Sequence, residues 1–493
     1  MRATTTVPPV ATVGPPRLTA GFEEFGRLDL RAHEEVHGGV GPLSVNDLMR
    51  LGEAIDLKGR GGAGFPFHRK VKAVVDSADK QDKPVVVVVN ATEGEPASWK
   101  DKVLLTRAPH LILDGAALAA FALEAEEIVI GVADDGVGGG SLSAALAERR
   151  MPVPTSIVTV PHRFISGEGG ALVRGINGLP HIPPGVKVRA SDSGVSGLPT
   201  LLSNAETFSQ LAVAARLGPY EYCAVGLPDE PGTVLLTIGG SAARPAVVEC
   251  PTGTPLRDIL ELCEAPVGPG LLIGGYHGKW ITPEAVATVE VSRKGFTKVG
   301  GTLGAGITIP LGEGTCPLGE VARVVHYMAG ESAGQCGPCR LGLPDMARTI
   351  DSLVIGSAAV DAVRAAASVI KGRGACSHPD GTSRFAISAL DVFAEDLAAH
   401  AGGDGCGKPV KGILPLPVDA PSGGTKRLSV DWTRCDGHGL CAHVVPEYIR
   451  LDANGYPAFP SSPVPVWLEP GARKAVNVCP ALALRLSEGK SGH

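Results

Sequence analysis

Two groups of cysteines are the side chains of this sequence best suited to metal chemistry. They are Cys336, Cys339 and Cys376 in the first group, and Cys435, Cys441 and Cys479 in the second. In ESAGQCGPC, Ala333 stands where a further cysteine would complete C-x-x-C-x-x-C. Close spacings of this kind favour metal sites over disulfides in a reducing compartment. The first group therefore predicts an iron–sulfur site that lacks one ligand, a zinc site, or no metal site.

The other five cysteines have no close partner in the sequence. They are Cys223, Cys250, Cys263, Cys316 and Cys406. A lone cysteine usually packs as a small buried hydrophobic side chain, and we expect that role here. Cys406 is the exception, because its Gly-rich surroundings also suit an exposed position.

A glycine-rich loop, KGRGGAGFP, is suited to a different chemistry. Gly59, Gly61 and Gly64 have the G-x-G-x-x-G spacing. The preceding VNDLMRLGEAI has the pattern of a helix, whereas the dinucleotide-binding fingerprint follows a strand, so we reject the ordinary Rossmann fingerprint. Glycines still let backbone N–H groups approach a phosphate closely, and Arg60 and Lys70 add positive charge nearby. The alternative is a structural turn.

Polar turns follow apolar runs at three further places: NATEGEP, FISGEGGAL and LLSNAETF. Ligands of open α/β sheets bind beyond the carboxyl ends of the strands, which is where NATEGEP should lie. The polar side chains of these turns are Asn90, Thr92, Glu93, Glu95, Glu168, Asn204 and Glu206. The alternative for the first turn is a solvated acidic loop.

Length and composition predict a multidomain α/β protein. The chain has 493 residues, which is too long for one compact core, and 44% of them are hydrophobic. Its net charge of −6 leaves no basic surface for nucleic acid, and its apolar runs are too short to span a membrane. The N-terminus has no signal-peptide pattern, so we expect a cytoplasmic protein, with a peripheral place on a membrane complex as an alternative.

Patterns along the chain predict the domain order. We expect an N-terminal extension (1–44), an α/β domain with a largely parallel sheet (45–230), a small α+β module (231–300), a helical bundle (315–403), a linker (404–426) and a separate C-terminal unit (427–493). The Pro- and Thr-rich residues 1–20 are expected to be poorly ordered.

The motifs occur in the order found in one family. GRGGAGFP, NATEGEPASWKD, ISGEGGAL, PTLLSNAET and ESAGQCGPCRLG resemble the flavin-bearing NADH-oxidising subunit of respiratory complex I, a family that includes diaphorase subunits of NAD-linked hydrogenases and formate dehydrogenases. The resemblance covers roughly residues 45–400. It implies a Rossmann-like FMN and NADH domain, a β-grasp-like module and a helical bundle with an iron–sulfur site.

The same resemblance implies the cofactor-binding residues. For FMN and NADH they are Gly59, Arg60, Gly61, Gly62, Gly64, Phe65, Lys70, Asn90, Thr92, Glu93, Glu95, Gly167, Glu168 and Asn204. Lys70 and Glu95 would act catalytically, the first on phosphate or reduced-flavin charge and the second on the carboxamide. Thr92 and Gly169 replace two family acids, and a family aromatic after Lys70 is missing, which leaves NADPH open as a substrate.

The C-terminal unit resembles single-cluster bacterial ferredoxins. RCDGHGLCAHVVPE and NVCPALAL place Cys435, Cys441 and Cys479 as ligands, with His438 at the central position. This implies an α+β ferredoxin domain with a [3Fe–4S] or [4Fe–4S] cluster, in which His438 either binds iron or lies exposed beside it.

For the bundle, the resemblance implies a cluster on three thiolates. Cys336, Cys339 and Cys376 match three of the four family ligands. A [3Fe–4S] cluster or a [4Fe–4S] cluster with one non-cysteine ligand fits them. Zinc with His378 as a fourth ligand and an empty site are the alternatives.

The implied function is NAD(P)H oxidation with electron transfer through FMN and the clusters to the fused ferredoxin and an external protein. A separate [2Fe–2S] subunit is an additional expected partner. The linker would act as a tether for the ferredoxin. One competing hypothesis is a degenerate relay or scaffold subunit that does not oxidise NADH, and another is a metal-stabilised binding module.

Overall fold

The computed structural model describes residues 7–186, 188–401, 405–417, 426–446, 448–459, 464 and 469–488. The chain divides into two compact units. The first consists of residues up to 315 with 391–393 and 413–415, and the second consists of 316–390, 394–412 and 416 onwards.

The described part of the first unit contains a four-stranded sheet, a six-stranded sheet, a two-stranded ribbon and the helices around them. Its strands are β1 (Val10–Thr12), β2 (Val86–Ala91), β3 (Glu127–Ala133), β4 (Thr155–Val160), β5 (Thr200–Asn204), β6 (Gly226–Leu227), β7 (Glu230–Pro231), β8 (Thr233–Ile238), β9 (Ala246–Pro251), β10 (Gly270–Ile273), β11 (Lys279–Ile281) and β12 (Ile307–Leu311). Its helices are α1 (Leu30–His37), α2 (Val45–Ala54), α3 (Phe67–Gln81), α4 (Lys100–Arg107), α5 (Pro109–Ala122), α6 (Gly139–Glu148), α7 (Gly169–Ile176), α8 (Ala205–Cys223), α9 (Leu256–Leu262), α10 (Pro283–Val286) and α11 (Arg293–Lys298).

The first sheet is parallel, with strand order β4-β3-β2-β5. The valines of β2 are fully buried, as expected for a strand covered on both faces. The helix predicted before the glycine loop is present as α2, which Ser44 caps by accepting a hydrogen bond from the Asp47 backbone N–H. Strand β3 covers the apolar run EIVIGVA.

The second sheet has strand order β1-β9-β8-β12-β10-β11 and includes the N-terminal segment. The expectation of a poorly ordered N-terminus is wrong for residues 7–20, the part that the structure describes. The buried Glu249 carboxylate accepts hydrogen bonds from the backbone N–H groups of Leu18 (2.9 Å) and Thr19 (2.8 Å). The backbone of Arg17 and the hydroxyl of Thr233 also bind it, at 3.2 and 2.6 Å. A buried charge needs several donors, and this segment supplies them.

The second unit begins with a helical bundle. Its helices are α12 (Pro317–Gly330), α13 (Leu343–Val354), α14 (Val360–Ile370), α15 (His378–Val392) and α16 (Ala394–Ala401), with a π-helical turn at Pro338–Gly342. Helices therefore cover most of the described part of 315–403, the region predicted to be a helical bundle. Among the described residues no single helix is long and apolar enough to cross a membrane, and α4 with α5 satisfies the length and composition only as a pair bent by 95°.

The C-terminal part of the second unit is a small α+β fold. It contains β13 (Lys426–Val430), α17 (Leu440–Val444), β14 (Arg450–Leu451), β15 (Pro457–Ala458), α18 (Glu469–Val478) and β16 (Leu484–Glu488). Strands β13 and β16 pair antiparallel, so the two ends of the fold lie side by side. The Arg340 guanidinium of the bundle donates a hydrogen bond to the Tyr448 carbonyl at 2.9 Å.

Part of the predicted linker is attached to the bundle. The Glu320 carboxylate accepts hydrogen bonds from the backbone N–H groups of Lys411 and Gly412, at 3.0 and 2.7 Å. The Pro409 carbonyl accepts one from Cys316 at 2.9 Å. Residues 404 and 418–425 of the predicted linker lie outside the described residues.

Candidate functional site

The glycine loop closes tightly between α2 and α3. The Gly59 N–H donates to the Phe65 carbonyl at 2.9 Å, and Lys58 pairs with Pro66. Gly62 and Gly64 have φ of 115° and 62°, values that favour glycine. A methyl group on Gly62 would meet no atom within 4 Å, so this part of the loop faces open space.

The loop lies against the carboxyl end of β5. A Cβ on Gly61 would come within 3.2 Å of the Asn204 Cβ. The Arg60 N–H donates to the Thr207 hydroxyl at 2.9 Å, while its guanidinium is buried and lies 4.0 Å from Glu206. The Arg60 charge therefore faces the interior of the unit. Phe65 is half exposed.

Lys70 is the candidate cation at the same edge of the sheet. It projects from α3, and its Nζ donates to the Leu202 carbonyl on β5 at 2.8 Å. Burial lowers the pKa of Lys70 to about 8. An ammonium group with so little hydration gains strongly from a bound anion.

Two asparagines end two neighbouring strands side by side. Asn90 and Asn204 are register partners at the ends of β2 and β5. The Asn204 amide donates to the Asn90 carbonyl at 3.3 Å, and the Asn90 amide donates to the Gly167 carbonyl at 3.0 Å. The Thr92 hydroxyl donates to Asn90 Oδ1 at 2.8 Å. The three predicted polar turns thus meet at one edge of the sheet, as the topology rule requires.

Glu93 supports the site through α4. Its carboxylate accepts hydrogen bonds from the backbone N–H groups of Asp101 (3.0 Å) and Lys102 (2.8 Å), and from the Ser98 hydroxyl at 2.6 Å. Burial raises the pKa of Glu93. The side chain therefore satisfies free donors at a helix N-terminus and fixes the turn that carries Glu95.

A buried polar network lies beneath the site and was not predicted from the sequence. The Lys100 ammonium lies 2.8 Å from Asp101 and 2.9 Å from Glu206. Asp101 also accepts a hydrogen bond of 2.5 Å from the Asn204 amide, which orients that side chain. Lys100 is only 2% exposed. The stretch PASWKD gives no sign that its lysine is buried and not on the surface.

The two predicted acids near the nicotinamide have different surroundings. Glu95 accepts hydrogen bonds from the Tyr276 backbone N–H at 3.2 and 3.3 Å, and its burial raises the pKa to about 8. Glu168 instead caps α7 by accepting from the Ala171 N–H at 2.9 Å. Gly167 packs beside Thr92, whose hydroxyl would lie 3.5 Å from an added Cβ. Burial therefore favours the protonated form of the Glu95 carboxyl, which can donate a hydrogen bond.

The cysteines of the bundle converge. Cys336 and Cys339 share a thiol hydrogen bond that lowers the pKa of Cys336 to about 5 and raises that of Cys339. Cys376 lies close enough for its charge to act on Cys339. Ala333 is buried, and the His378 Nε2 is within 2.8 Å of the Met328 carbonyl. Three soft donors therefore meet at one place, which suits an iron–sulfur cluster.

The cysteines of the C-terminal fold also converge. One pocket is lined by Cys435, Cys441 and Cys479 together with His438. Cys479 accepts a hydrogen bond from the Ala483 backbone N–H at 3.4 Å, as is common for cluster-binding sulfurs. Of the remaining cysteines, Cys250, Cys263 and Cys316 are buried as expected, whereas Cys223 is only half-buried because it sits at the end of α8.

Three family models match separate parts of this chain. The Nuo51 FMN-binding domain matches residues 53–213, the NADH-ubiquinone oxidoreductase-F iron-sulfur binding region matches 319–400, and a 4Fe-4S single cluster domain matches 428–486. The chain thus matches an FMN-binding and an iron–sulfur domain model of NADH-ubiquinone oxidoreductase, followed by a single-cluster iron–sulfur domain model. The resemblance predicted from the motifs is confirmed, as are its FMN and iron–sulfur cofactors.

Individual relatives are similar over most of the chain. The F-type subunit of the NADH-quinone oxidoreductase of Streptomyces coelicolor is 27% identical over 78% of this chain and 90% of its own length. An F-type subunit of the same enzyme of Rhizobium meliloti is 26% identical over 73% of this chain and 90% of its own length. A crystal structure of an NAD+-reducing [NiFe]-hydrogenase in the air-oxidised state superposes with a TM-score of 0.69 at 24% identity, over 83% of this chain and 69% of that chain.

The residues at the strand ends fit an FMN phosphate. Open loop backbone at Gly62, the weakly hydrated ammonium of Lys70 and the neighbouring side chains of Asn90 and Asn204 are suited to an anion and a polar ring edge. Arg60 and Glu93 serve the surrounding structure. Glu168 caps α7, whereas Glu95 is held by the Tyr276 backbone.

Proposed function

We propose that this chain oxidises a reduced nicotinamide nucleotide at its FMN site and delivers the electrons to its ferredoxin domain and then to a partner protein. The observation that carries the proposal is the meeting of Lys70, Asn90, Asn204 and the glycine loop at the carboxyl ends of β2 and β5, inside the FMN-binding domain. Bound FMN would supply the conversion of a hydride into single electrons.

The chain's own groups would bind and orient the reactants. Lys70 would neutralise phosphate or added negative charge, and the two asparagine amides would fix the ring edge. Glu95, neutral at pH 7, would donate a hydrogen bond to the nicotinamide carboxamide. Its position depends on the Tyr276 backbone, so the second sheet would help to orient the nucleotide.

The acceptor side of the proposal rests on the second unit. Three thiols of the bundle and three of the ferredoxin fold lie in matching iron–sulfur domains. The Arg340 hydrogen bond to the Tyr448 carbonyl joins the bundle to the ferredoxin fold, and its guanidinium lies 5.9 Å from the Tyr448 ring centroid. Electrons would cross at this contact, and a separate partner protein, with or without its own [2Fe–2S] centre, would receive them.

Anaerobic spectroscopy tests the proposal. NADH or NADPH is added to the protein, and flavin absorbance and low-temperature EPR spectra are recorded. We expect bleaching of the flavin and a change in the ferredoxin cluster signal. In the Cys435→Ser variant the flavin should bleach, but the ferredoxin cluster signal should not change. The Cys223→Ser variant, which alters a half-buried thiol outside the clusters, should behave as the unchanged protein. Absence of bleaching with both nucleotides would refute oxidation and support the relay hypothesis.

A further inference from the structure

Three metal-binding side chains outside both cluster sites come together in the second unit. Among the residues that the structure describes, one ligand atom from each of Cys316, His400 and Cys406 lies within 4.8 Å of the other two. The Cys316 sulfur is 3.4 Å from His400 Nε2. Zinc–sulfur and zinc–nitrogen bonds of about 2.3 and 2.0 Å place neighbouring ligands of a tetrahedral ion roughly 3.6 Å apart. The spacing therefore fits a single ion.

The histidine is oriented as a metal ligand. His400 Nδ1 lies 2.6 Å from the Val354 carbonyl, which can only accept, so Nδ1 carries the proton. The lone pair is then on Nε2, the nitrogen that faces Cys316. A carbonyl that fixes the tautomer in this way is the usual second neighbour of a metal-bound histidine.

Each cysteine is placed by backbone structure. Cys316 is the N-cap of α12, and its sulfur accepts a hydrogen bond from the Gly319 N–H at 3.3 Å. The positive end of a helix stabilises a thiolate. Cys406 lies between Gly405 and Gly407, which both have φ of 66°, so the chain turns sharply on each side of it.

We propose that Cys316, His400 and Cys406 bind one zinc ion, with water in the fourth position. Two thiolates balance the charge of Zn²⁺, and a ligand set of sulfur and imidazole favours zinc over the hard cations. Nothing in the proposed electron transfer uses these residues. The sequence alone suggested a packing role for Cys316 and a packing role or an exposed position for Cys406, because Cys316 is separated from the others by most of the bundle.

The ion would fasten three parts of the bundle. Cys316 begins α12, His400 lies in the last turn of α16, and Cys406 belongs to the segment that follows. That segment also binds α12 through the Pro409 carbonyl. Zinc binding energy would therefore stabilise the point from which the chain leaves the bundle.

Metal analysis and X-ray absorption of the full-length, anaerobically purified protein test the proposal. We expect one zinc per chain, with a zinc-edge spectrum that requires two sulfur ligands and an imidazole. Cys406→Ser and His400→Ala should each lose at least nine-tenths of the zinc and keep the iron and FMN. Cys263→Ser removes a buried thiol elsewhere and should keep all three.

Any one of three results of the metal analysis and spectroscopy would overturn the zinc site. These are less than one-tenth of an equivalent of zinc after purification with added zinc, zinc retained in both ligand variants, or a spectrum of oxygen ligands only. A Cys316–Cys406 disulfide in the anaerobic protein would also overturn it. The spectrum of the unchanged protein needs no variant, so the test does not depend on how well the variants fold.

Discussion

Replacing Glu95 by glutamine should stabilise the first unit in a pH-dependent way. Glu95 is buried against the Tyr276 backbone, and its pKa rises from 4.5 to about 8, mainly because a carboxylate there loses its hydration. Glutamine has the same shape, can accept the same hydrogen bond, and carries no charge at any pH. The substitution therefore isolates the effect of the proton.

The sign follows from the two pKa values. Below pH 4.5, Glu95 is neutral in the folded and the unfolded chain and has no effect on stability. Between pH 4.5 and 8 the unfolded chain releases the proton while the folded chain keeps it, so stability falls. Above pH 8 the loss is constant.

The magnitude follows from the size of this difference. Each tenfold change in proton affinity corresponds to about 1.4 kcal/mol. A rise in pKa from 4.5 to about 8 therefore sets an upper limit of about 5 kcal/mol on the stability that the folded chain loses at high pH. Local relaxation and water penetration reduce this limit, and we expect Glu95→Gln to gain roughly 2–4 kcal/mol at pH 8 and less than about 1 kcal/mol at pH 5.

Urea unfolding of the flavin-loaded protein, followed by flavin fluorescence, measures this gain at pH 5, 6.5 and 8. Glu261→Gln, at an exposed position of α9, is the matched control and should change stability by less than about 0.5 kcal/mol at each pH. Infrared difference spectra should show a protonated carboxyl at pH 7 that Glu95→Gln removes. An equal gain at pH 5 and pH 8, or no such carboxyl band, would refute the argument.

Other side chains lead to predictions with separate assays. Lys70→Met should weaken FMN binding by about 10- to 100-fold, as for one lost charged hydrogen bond, while Lys72→Met on the exposed face should not, measured by flavin titration. Because the pKa of Lys70 is about 8, FMN affinity should fall as the pH rises through 8, and an unchanged affinity at pH 9 would contradict this role. Glu249→Gln should cost about 3 kcal/mol and speed hydrogen exchange in β1 by roughly 100-fold, and unaltered exchange would argue against the anchor. Arg340→Leu should slow reduction of the ferredoxin cluster by about tenfold in rapid-freeze EPR, whereas Arg348→Leu, on an exposed face, should not.

The local elements of the FMN-binding domain could be predicted from short stretches of sequence. Five consecutive valines before Asn90 favour a strand that is buried on both faces, as the strands of parallel sheets are. The helix before the glycine loop followed from its apolar spacing, and Ser44 caps it. Strand ends of a parallel sheet share one edge, so the meeting of Asn90 and Asn204 was predictable as well.

The roles of individual charged residues were less predictable. Arg60 sits in the glycine loop, where a phosphate contact was expected, yet its guanidinium is buried near Glu206. Glu93 and Glu168 satisfy helix N-termini, a use of carboxylates that looks the same in sequence as a ligand site. The direction of a side chain depends on the packing around it, which short-range patterns do not contain.

The sequence by itself predicted the order of domains, a polar site at the strand ends and two groups of cysteines, because short motifs and the family resemblance carry that information. Only the tertiary structure decided that Glu95 meets Tyr276, that Glu249 anchors the N-terminal strand, and that Cys316 meets His400. Each of these contacts joins residues that are far apart in the chain. Their burial sets both the pKa of Glu95 and the ligand set of the proposed zinc site, and burial is a property of the packed chain.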